Sequence, residues 1–449
     1  MASEPAATKL APTPMERAPV PDLGTELIPK ERYTSRAYKA LEDERLWPKV
    51  WHLAGFVSDL AEPGSYFTYE IGKESVLVIR QESGAVVAFH NVCMHRGNRL
   101  VEPGRGRAGS FTCLFHAWRF GIDGTLEHAL DAESFTQGCP ADELSLAPVR
   151  CEQWGGFVWI NFDVNPDPNA ESLLDYLENI PEHLDPYHFE EMKILNEITI
   201  ETQCNWKTSM DAFHESYHIF GTHPDTLDVN DDVNCSYDCF GRHSRMILQL
   251  AVASPRHPEH GKVNATIREH FLTNAGIDPN SFTGGALDVR PAIAKAVREI
   301  QGPAMGADFS ELNDAQLVDD FHYSIFPNVT FNIFGRSAWL FRHRPHPTDP
   351  DRMYFDFFNL VRLPQAEVPR PECEFQVASD DLLLDPVGGG GELLAQDTYN
   401  LPRIQQGMHS TGFKGLHLGK QEIRIRHFHH NLDRYLDDIP ESNSEDEVV

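Results

Sequence analysis

Two short segments of the chain each carry one cysteine and one histidine. Cys93-Met94-His95 and Cys113-Leu114-Phe115-His116 have the pattern C-x-H, seventeen intervening residues, then C-x-x-H. Two thiolates and two imidazoles suit a [2Fe–2S] cluster in which one iron keeps sulfur ligands and the other takes nitrogen. Neutral imidazoles remove negative charge from the second iron, which raises the reduction potential. The spacing therefore predicts an electron-carrying cluster held by two loops.

A tetrahedral zinc site is the alternative use of two cysteines and two histidines. Zinc sites of this kind usually group the cysteines as C-x-x-C and place the histidines together. Here each segment supplies one cysteine and one histidine, which suits two metal ions bridged by sulfide. The pattern favours the cluster over zinc.

Residues 205–224 carry a second group of possible metal ligands. If they form a helix, Asp211, Glu215 and His218 fall at positions i, i+4 and i+7 and share one face. His214 lies off this alignment, and we do not assign it as a ligand. Glu215 has a simpler interpretation as an acid on a helix surface.

His223 forms a pair with His218, although an ideal helix would turn it about 140° away at about 100° per residue. Gly221 and Pro224 allow the helix to end and the chain to turn back. Two imidazoles and one carboxylate on one side of Fe(II) leave open positions for dioxygen. Two isolated histidines would be ordinary residues, but the cluster motif earlier in the chain favours metal ligation.

Asp397 is the candidate for the carboxylate ligand. It shares a predicted helix face with four apolar residues, Leu393, Leu394, Leu401 and Ile404. An acid on an apolar face is costly unless a metal or another cation compensates its charge. Pro402 weakens this helix, but a kink after the ligand is tolerable.

Short alternating apolar runs surround the paired cysteine and histidine motifs and predict a small antiparallel β domain. The expected strands cover residues 66–70, 75–80, 85–89 and 156–161, separated by glycine turns. We place this domain at residues 45–165, because prolines follow its last strand. Residues 1–44 are expected to form an N-terminal arm and a helix, beginning at Arg36, that packs on the catalytic domain.

A larger catalytic domain is predicted over residues 166–436, followed by an acidic tail at 437–449. We expect a helix at 173–180 and strands at 193–204, 323–332, 337–343 and 353–363. Residues 225–320 are poorly patterned and are expected to supply loops and extra helices that face the substrate. Residues 386–391 predict a flexible loop. The histidine-rich tracts at 343–346 and 427–430 are interpreted as surface or interface residues.

The composition excludes several classes of protein. A net charge of −30 argues against nucleic acid and anionic membranes as partners. The sequence has neither an apolar run of about 18 residues nor the apolar core of a signal peptide, so we predict a cytoplasmic protein. Eight cysteines in 449 residues do not form a disulfide framework.

The segments Cys93-Met94-His95-Arg96-Gly97 and Cys113-Leu114-Phe115-His116-Ala117-Trp118 closely resemble a Rieske domain. The resemblance implies that Cys93 and Cys113 hold one iron, and that His95 and His116 hold the other. The later motifs, Asn205-Trp206-Lys207, Glu215-x-Tyr217-His218, His223 and Gln396-Asp397, resemble the large (alpha) subunit of aromatic ring-hydroxylating dioxygenases, which are Rieske non-haem iron oxygenases. The match covers roughly residues 45–435.

This resemblance implies an α+β fold, with a small antiparallel β Rieske domain inserted before a larger helix-grip catalytic domain that has a central antiparallel sheet. It implies a [2Fe–2S] cluster and Fe(2+) as cofactors, with Fe(2+) held by His218, His223 and Asp397. Glu215 would link His218 to His116 of a neighbouring subunit in a head-to-tail trimer. The family usually has Asp at that position, so Glu215 is one methylene longer. We also assign Asn205 and Asp211 to the catalytic group.

The expected reaction uses O2 and electrons from NAD(P)H, delivered by a separate reductase or ferredoxin. We expect cis-dihydroxylation of an aromatic or other apolar ring compound by a homotrimer, which often has a small beta subunit in this family. Rieske monooxygenation, including oxidative demethylation, is the alternative within the family. An electron carrier without oxygenase activity is the alternative from another class. The substrate itself is not identified by the sequence. Seven phenylalanines could line an apolar pocket, although the ordinary interpretation of most of them is core packing: Phe213, Phe220, Phe271, Phe321, Phe326, Phe331 and Phe334.

Overall fold

The computed structural model describes residues 17–164, 170–378 and 391–437. The chain forms two compact units, one from Glu42 to Tyr176 and the other from residues up to 41 together with those from 177 onward. We call the first the β unit and the second the catalytic unit. Part of the predicted arm (1–16), residues 386–390 of the predicted loop and residues 438–449 of the predicted tail lie outside the described residues.

The N-terminal segment of the catalytic unit begins with strand β1 (Ile28–Pro29) and helix α1 (Glu31–Thr34). Helix α2 (Arg36–Arg45) follows and confirms the predicted start at Arg36; a turn separates its end from Pro48. Tyr33 of α1 is fully buried. This segment therefore contributes to the core of the catalytic unit.

Between residues 52 and 161 the β unit contains ten strands and one short α-helix. They are β2 (His52–Phe56), β3 (Ser65–Ile71), β4 (Glu74–Arg80), β5 (Val86–His90), β6 (Arg105–Arg107), β7 (Ser110–Thr112), β8 (Arg119–Gly121), β9 (Leu126–His128), α3 (Ala141–Leu144), β10 (Pro148–Trp154) and β11 (Phe157–Asn161). Seven strands form an antiparallel sheet in the order β2-β11-β10-β5-β4-β3-β6, and β7-β8-β9 form a second sheet. Strand β3 alternates buried and half-buried residues, as expected for a sheet with one face on the core.

The catalytic unit is built on an eight-stranded sheet in the order β13-β14-β15-β16-β17-β18-β12-β19. The strands are β12 (Met192–Thr202), β13 (Asn230–Phe240), β14 (His243–Leu250), β15 (Asp320–Ile325), β16 (Val329–Ile333), β17 (Ser337–Pro345), β18 (Met353–Arg362) and β19 (Glu374–Val377). All neighbours are antiparallel except β12 and β19. A small β20 (Gly415–Leu416) pairs with β1.

Helices precede, connect and follow the strands of this sheet along the chain. They are α4 (Leu173–Leu177), α5 (Ile180–Leu184), α6 (Trp206–Phe213), α7 (Ile219–Thr222), α8 (Ala286–Ala296), α9 (Gly302–Met305), α10 (Asp314–Val318), α11 (Gly391–Met408) and α12 (Ile423–Leu436). Two π-helical segments, Ile267–Leu272 and Val297–Gln301, adjoin α8 in the described chain. Phe213 of α6 packs on Phe341 of β17, with ring centroids 4.9 Å apart.

The sequence predictions for two regions differ from the structure. Residues 323–332 form the ends of two strands, because Pro327 lies between them and has no N–H to donate to a sheet. Residues 225–320 contain β13 and β14, which were not predicted. A bulge between Asp231 and Ser236 interrupts the pairing of β13, so its burial does not alternate as in a regular strand.

The predicted fold class is confirmed, since an antiparallel β unit is combined with a larger unit that has a central, mainly antiparallel sheet. None of the helices in the described ranges is long and apolar enough to cross a membrane.

Candidate iron centres

The two cysteine–histidine loops of the β unit have the same local conformation. One follows β5 and the other joins β7 to β8. The N–H of Gly97 donates to the carbonyl of Cys93, and the N–H of Ala117 donates to the carbonyl of Cys113, both at 2.9 Å. Gly97 and Ala117 have positive φ values of 77° and 54°, which close each loop within five residues.

The loops place the four predicted ligands together. Cys93 and Cys113 are buried in the core of the β unit, while His95 and His116 are half-buried with ring centroids 4.6 Å apart. The ring of His95 stacks on Trp118 at 4.8 Å, and its Nδ1 atom is buried without a hydrogen-bond partner. Two neighbouring thiols and two neighbouring imidazoles fit a sulfide-bridged pair of iron ions.

The pKa shifts of Cys113 and His95 agree with ligation, whereas burial raises the pKa of Cys93. Burial raises the pKa of Cys113, but backbone N–H groups of Phe115 and His116 lower it, and the net pKa lies below that of a free thiol. Burial, His116 and Arg96 lower the pKa of His95. A thiolate and a neutral imidazole are the forms that bind iron.

In the catalytic unit, His218, His223 and Asp397 converge. One ligand atom from each lies within 4.8 Å of the others. His223 Nε2 is 3.1 Å from Asp397 Oδ1, and His218 Nε2 is 3.8 Å from the same oxygen. The structure thus brings together the three predicted ligands of Fe(2+), and two imidazoles with one carboxylate fit a ferrous site with open positions.

Each histidine of this triad is oriented through its other ring nitrogen. Oε1 of Glu215 lies 2.8 Å from His218 Nδ1, and Oε1 of Gln396 lies 2.6 Å from His223 Nδ1. Each Nδ1–H therefore donates to an oxygen, and each Nε2 faces the triad. Burial alone would lower the pKa of His218, but Glu215 and Asp397 raise it to about 9. The site therefore favours positive charge, as a cation-binding position requires.

The path of the chain differs from the predicted continuous helix. Helix α6 ends at Phe213, so Glu215 and His218 do not share a helix face with Asp211. The Glu215 carboxylate accepts the backbone N–H of His218 at 2.8 Å, and Ser216 Oγ donates to the carbonyl of Asp232. Such bonds between side chains and backbone compete with helical hydrogen bonds and end the helix.

Asp397 lies on α11, which is continuous from Gly391 to Met408 despite Pro402. The buried face of this helix includes Leu394 and Leu401, whereas Ile404 is exposed. The amphipathic pattern used to select Asp397 is therefore largely present.

Asn205 and Asp211 occupy different positions from the triad. Asn205 caps α6, since its side chain accepts the N–H of Lys207 at 3.0 Å and donates to the carbonyls of Tyr33 and Pro350. Asp211 Oδ2 accepts the hydroxyl of Tyr33 at 2.6 Å. The structure gives Asn205 a capping contact and Asp211 a buried hydrogen bond, and their catalytic roles stay predictions.

Three histidines were misplaced by sequence reasoning. His343, His427 and His429 are buried, with at most 7% exposure, instead of lying on the surface. Burial lowers the pKa of His343 to about 3 and that of His427 to about 4. His429 Nε2 lies 2.7 Å from the Tyr33 hydroxyl. The helical spacing in 427–430 gave no sign of this buried network, because its partner Tyr33 lies about 400 positions earlier in the chain.

A cavity of about 430 Å3 opens on His218 and Asp397, and we call it the triad cavity. Besides Asp397, it is lined by three carboxylates, those of Asp211, Glu215 and Glu422, among mainly apolar residues. No Lys or Arg is found among its described lining residues. Burial, Glu215 and Asp211 raise the pKa of Glu422, so negative charge is concentrated here.

A β unit with paired Cys–His loops and a second unit with a His/His/Asp triad define the class of two-centre iron oxygenases. Residues 189–438 match the catalytic domain of the ring-hydroxylating alpha subunit, and residues 50–138 match the Rieske [2Fe–2S] domain. The chain therefore belongs to the ring-hydroxylating alpha-subunit family of Rieske oxygenases. Its predicted cofactors, a [2Fe–2S] cluster and a mononuclear iron, are confirmed at the level of the family.

Similar proteins include oxygenase subunits with named substrates. The chain is 32% identical to the glycine betaine monooxygenase oxygenase subunit of Pseudomonas aeruginosa over 44% of its own length and 45% of that protein. It is 35% identical to the carnitine monooxygenase oxygenase subunit of Escherichia coli over 51% of its own length and 59% of that protein. The matches thus span about half the length of these relatives.

The solved structure of a quaternary ammonium Rieske monooxygenase in complex with L-carnitine has the same fold. The TM-score is 0.64 at 21% identity, over 91% of this chain and 95% of that chain.

Proposed function

We propose that this chain is the terminal oxygenase of a monooxygenase that oxidises a quaternary ammonium compound. The observation that carries the proposal is the similarity to glycine betaine and carnitine monooxygenase subunits at 32% and 35% identity. These relatives favour the monooxygenase alternative over cis-dihydroxylation of an aromatic ring. The class of enzyme, a Rieske oxygenase, is the same in both cases.

The charge around the triad supports a cationic substrate. Asp211, Glu215 and Glu422 line the triad cavity, and its described lining includes neither Lys nor Arg. Carboxylates grouped at low solvent exposure attract a positive charge and offer nothing to a neutral hydrocarbon. A quaternary ammonium group has no proton to lose, so its own positive charge is present at every pH.

The proposed reaction balances with dioxygen as oxidant and two external electrons as reductant. One oxygen atom enters a C–H bond of a methyl group on nitrogen, and the other leaves as water after taking two protons. The resulting N–CH2OH group then releases formaldehyde and a proton, and the C–N bond electrons stay on nitrogen as the amine lone pair. When bound, the iron would supply the activation of dioxygen.

The residues of this chain have separate tasks in the proposal. His218, His223 and Asp397 would hold the ferrous ion. Glu215 and Gln396 fix the two imidazoles by accepting their Nδ1–H protons, which keeps each Nε2 directed at the triad.

The partners implied by the resemblance are also proposals. We infer a separate reductase or ferredoxin as electron donor and a head-to-tail trimer, in which Glu215 contacts His116 of the partner subunit. In this chain the loop residues next to His116 are exposed, Leu114 to 91% and Phe115 to 61%. Exposed apolar side chains at a loop tip suit an interface.

The test of the proposed reaction is a turnover assay with the purified oxygenase, a broad-specificity reductase and NADH under 18O2. The substrates are glycine betaine, L-carnitine, γ-butyrobetaine and choline, with naphthalene and benzoate as aromatic controls. We expect consumption of a trimethylammonium compound with release of formaldehyde and the demethylated amine in equal amounts. An aromatic product with two labelled oxygen atoms, and no reaction of the trimethylammonium compounds, would refute the proposal.

A further inference from the structure

A second cavity of about 570 Å3 lies in the catalytic unit, and we call it the arginine cavity. The π-helical segments contribute Phe271 and Gln301 to its wall, and the sheet contributes Trp339. Segments of π-helix frequently occur at functional sites. Among the described residues that line the arginine cavity, Arg336 is the only Lys or Arg, and none is Asp or Glu. The titratable His270 also lines the cavity.

Arg336 is half-buried and finds no carboxylate in the described part of the chain. Its Nη1 donates to the amide oxygen of Gln301, and burial lowers its pKa. Nearby arginines differ: Arg290 pairs with Asp319, Arg298 with Asp314 and Arg362 with Glu191. The chain has 68 acidic and only 38 basic residues, so the lack of an acidic partner at Arg336 is informative. A desolvated guanidinium is stabilised when a ligand supplies the missing carboxylate.

The walls of the arginine cavity suit an alkyl chain with a bulky end group. Phe334 and Trp339 meet edge to face with ring centroids 5.0 Å apart, and Phe271 adds a third ring. Aromatic faces attract alkylammonium groups as well as methylene groups. The cavity therefore combines one site for an anion with apolar and aromatic surface.

Two contacts relate this cavity to the triad. Leu250 lines the cavity and packs against the apolar cluster of Ile219, Leu227 and Leu248. Ile219 directly follows the triad residue His218. Trp339 of the cavity is also on the same face of β17 as Phe341 and His343, because side chains two residues apart in a strand point to one side. Phe213 of α6 packs on that face. The arginine cavity is thus built on the sheet face that supports the segment carrying the triad histidines.

We propose that the arginine cavity binds the carboxylate of the substrate, with Arg336 as its counter-ion. The substrate is then a trimethylammonium compound with a carboxylate at its other end. Choline differs, because its other end is an uncharged hydroxyl. This inference rests on the proposed function and adds the second charge of the substrate to it. The acidic triad cavity then binds the ammonium end of the zwitterion, and Arg336 binds its carboxylate end.

The test is calorimetric binding to the oxidised, iron-loaded protein without an electron donor, so that no turnover occurs. The probes are γ-butyrobetaine and its methyl ester, which has the same ammonium group but no carboxylate. We expect the wild type to bind the acid more tightly than the ester. Arg336→Gln should weaken binding of the acid about 10- to 100-fold, the range for a hydrogen bond to a charged group, and leave ester binding unchanged.

Two further variants control for the fold and the charge. Arg298→Gln removes an arginine next to the cavity-lining Val297 without altering the lining, and it should bind both probes like the wild type. Arg336→Lys keeps a positive charge and should retain part of the preference for the acid. Unchanged ester binding by Arg336→Gln shows that the variant is folded. Equal affinity of wild type and Arg336→Gln for γ-butyrobetaine would overturn the inference.

A carbon analogue separates this inference from the proposed function. In 5,5-dimethylhexanoate a tert-butyl group replaces the trimethylammonium group of γ-butyrobetaine. If this acid binds through Arg336 while no trimethylammonium compound is oxidised, the proposed function fails and the carboxylate site stands. If γ-butyrobetaine is oxidised equally well by the wild type and Arg336→Gln, the function stands and the carboxylate site fails.

Discussion

Replacing Glu215 by Gln tests how the triad is oriented. One oxygen of Glu215 accepts His218 Nδ1–H at 2.8 Å, and the other accepts the His218 backbone N–H at 2.8 Å. Glutamine has a single oxygen, so its NH2 group must face one of these two donors. The variant also loses the charge that raises the basicity of His218. Loss of such a partner typically costs 10- to 100-fold in metal affinity, or about 1.4–2.7 kcal/mol.

The assay is anaerobic competition for Fe(II) with a chromogenic chelator, using protein from which mononuclear iron has been removed and in which cluster absorbance is intact. Glu422→Gln is the matched control. Glu422 lines the same cavity, but its carboxylate accepts the N–H of Gly419 at 2.6 Å and contacts none of the triad residues in the described chain. Wild-type affinity in Glu215→Gln, or an equal loss in Glu422→Gln, would refute the reasoning.

Two other predictions concern the iron content and the stability of the catalytic unit. Asp397→Ala should lower iron from about three to about two per chain while the cluster absorbance is retained, because one triad ligand is lost; elemental analysis showing three would contradict the ligand assignment. Asp356 is buried in β18 and, although burial alone would raise its pKa, Arg344 and Arg342 hold it at about 2, below the ordinary 3.8. Its ionised form therefore contributes stability above pH 3.8 that is lost as pH falls toward 2. The difference in free energy of unfolding between wild type and Asp356→Asn should narrow by about 1 kcal/mol from pH 5 to pH 3 in urea titrations. A difference that does not change with pH would contradict this account.

The sequence was most informative where chemistry is encoded by adjacent residues. The four cluster residues come from two short segments, so their residue types and spacing alone indicate a shared site. Asp397 could be selected as a candidate ligand because an acid on an apolar helix face is unusual. In the structure, α11 buries Leu394 and Leu401 on that face.

Other features depend on partners far away in the chain. The helix through His218 was wrongly predicted to continue, because the carboxylate of Glu215 competes for a backbone N–H that helical periodicity assigns to the helix. The burial of His429 depends on Tyr33, which no local pattern reveals. Arg336 was not considered, since only the folded structure shows which arginines have acidic partners.

The catalytic unit is discontinuous in the sequence, because residues before 42 join those from 177 onward. β1 pairs with β20, whose Leu416 lines the triad cavity, and Tyr33 donates to Asp211 of α6. A truncated chain that begins near residue 177 would therefore lack a strand and a buried tyrosine of its own core. The β unit, in contrast, is one uninterrupted segment. Exchange of this electron-carrying unit between relatives therefore requires two junctions, near residues 42 and 176. In a chimera with a single junction, the two segments of the catalytic unit would come from different proteins.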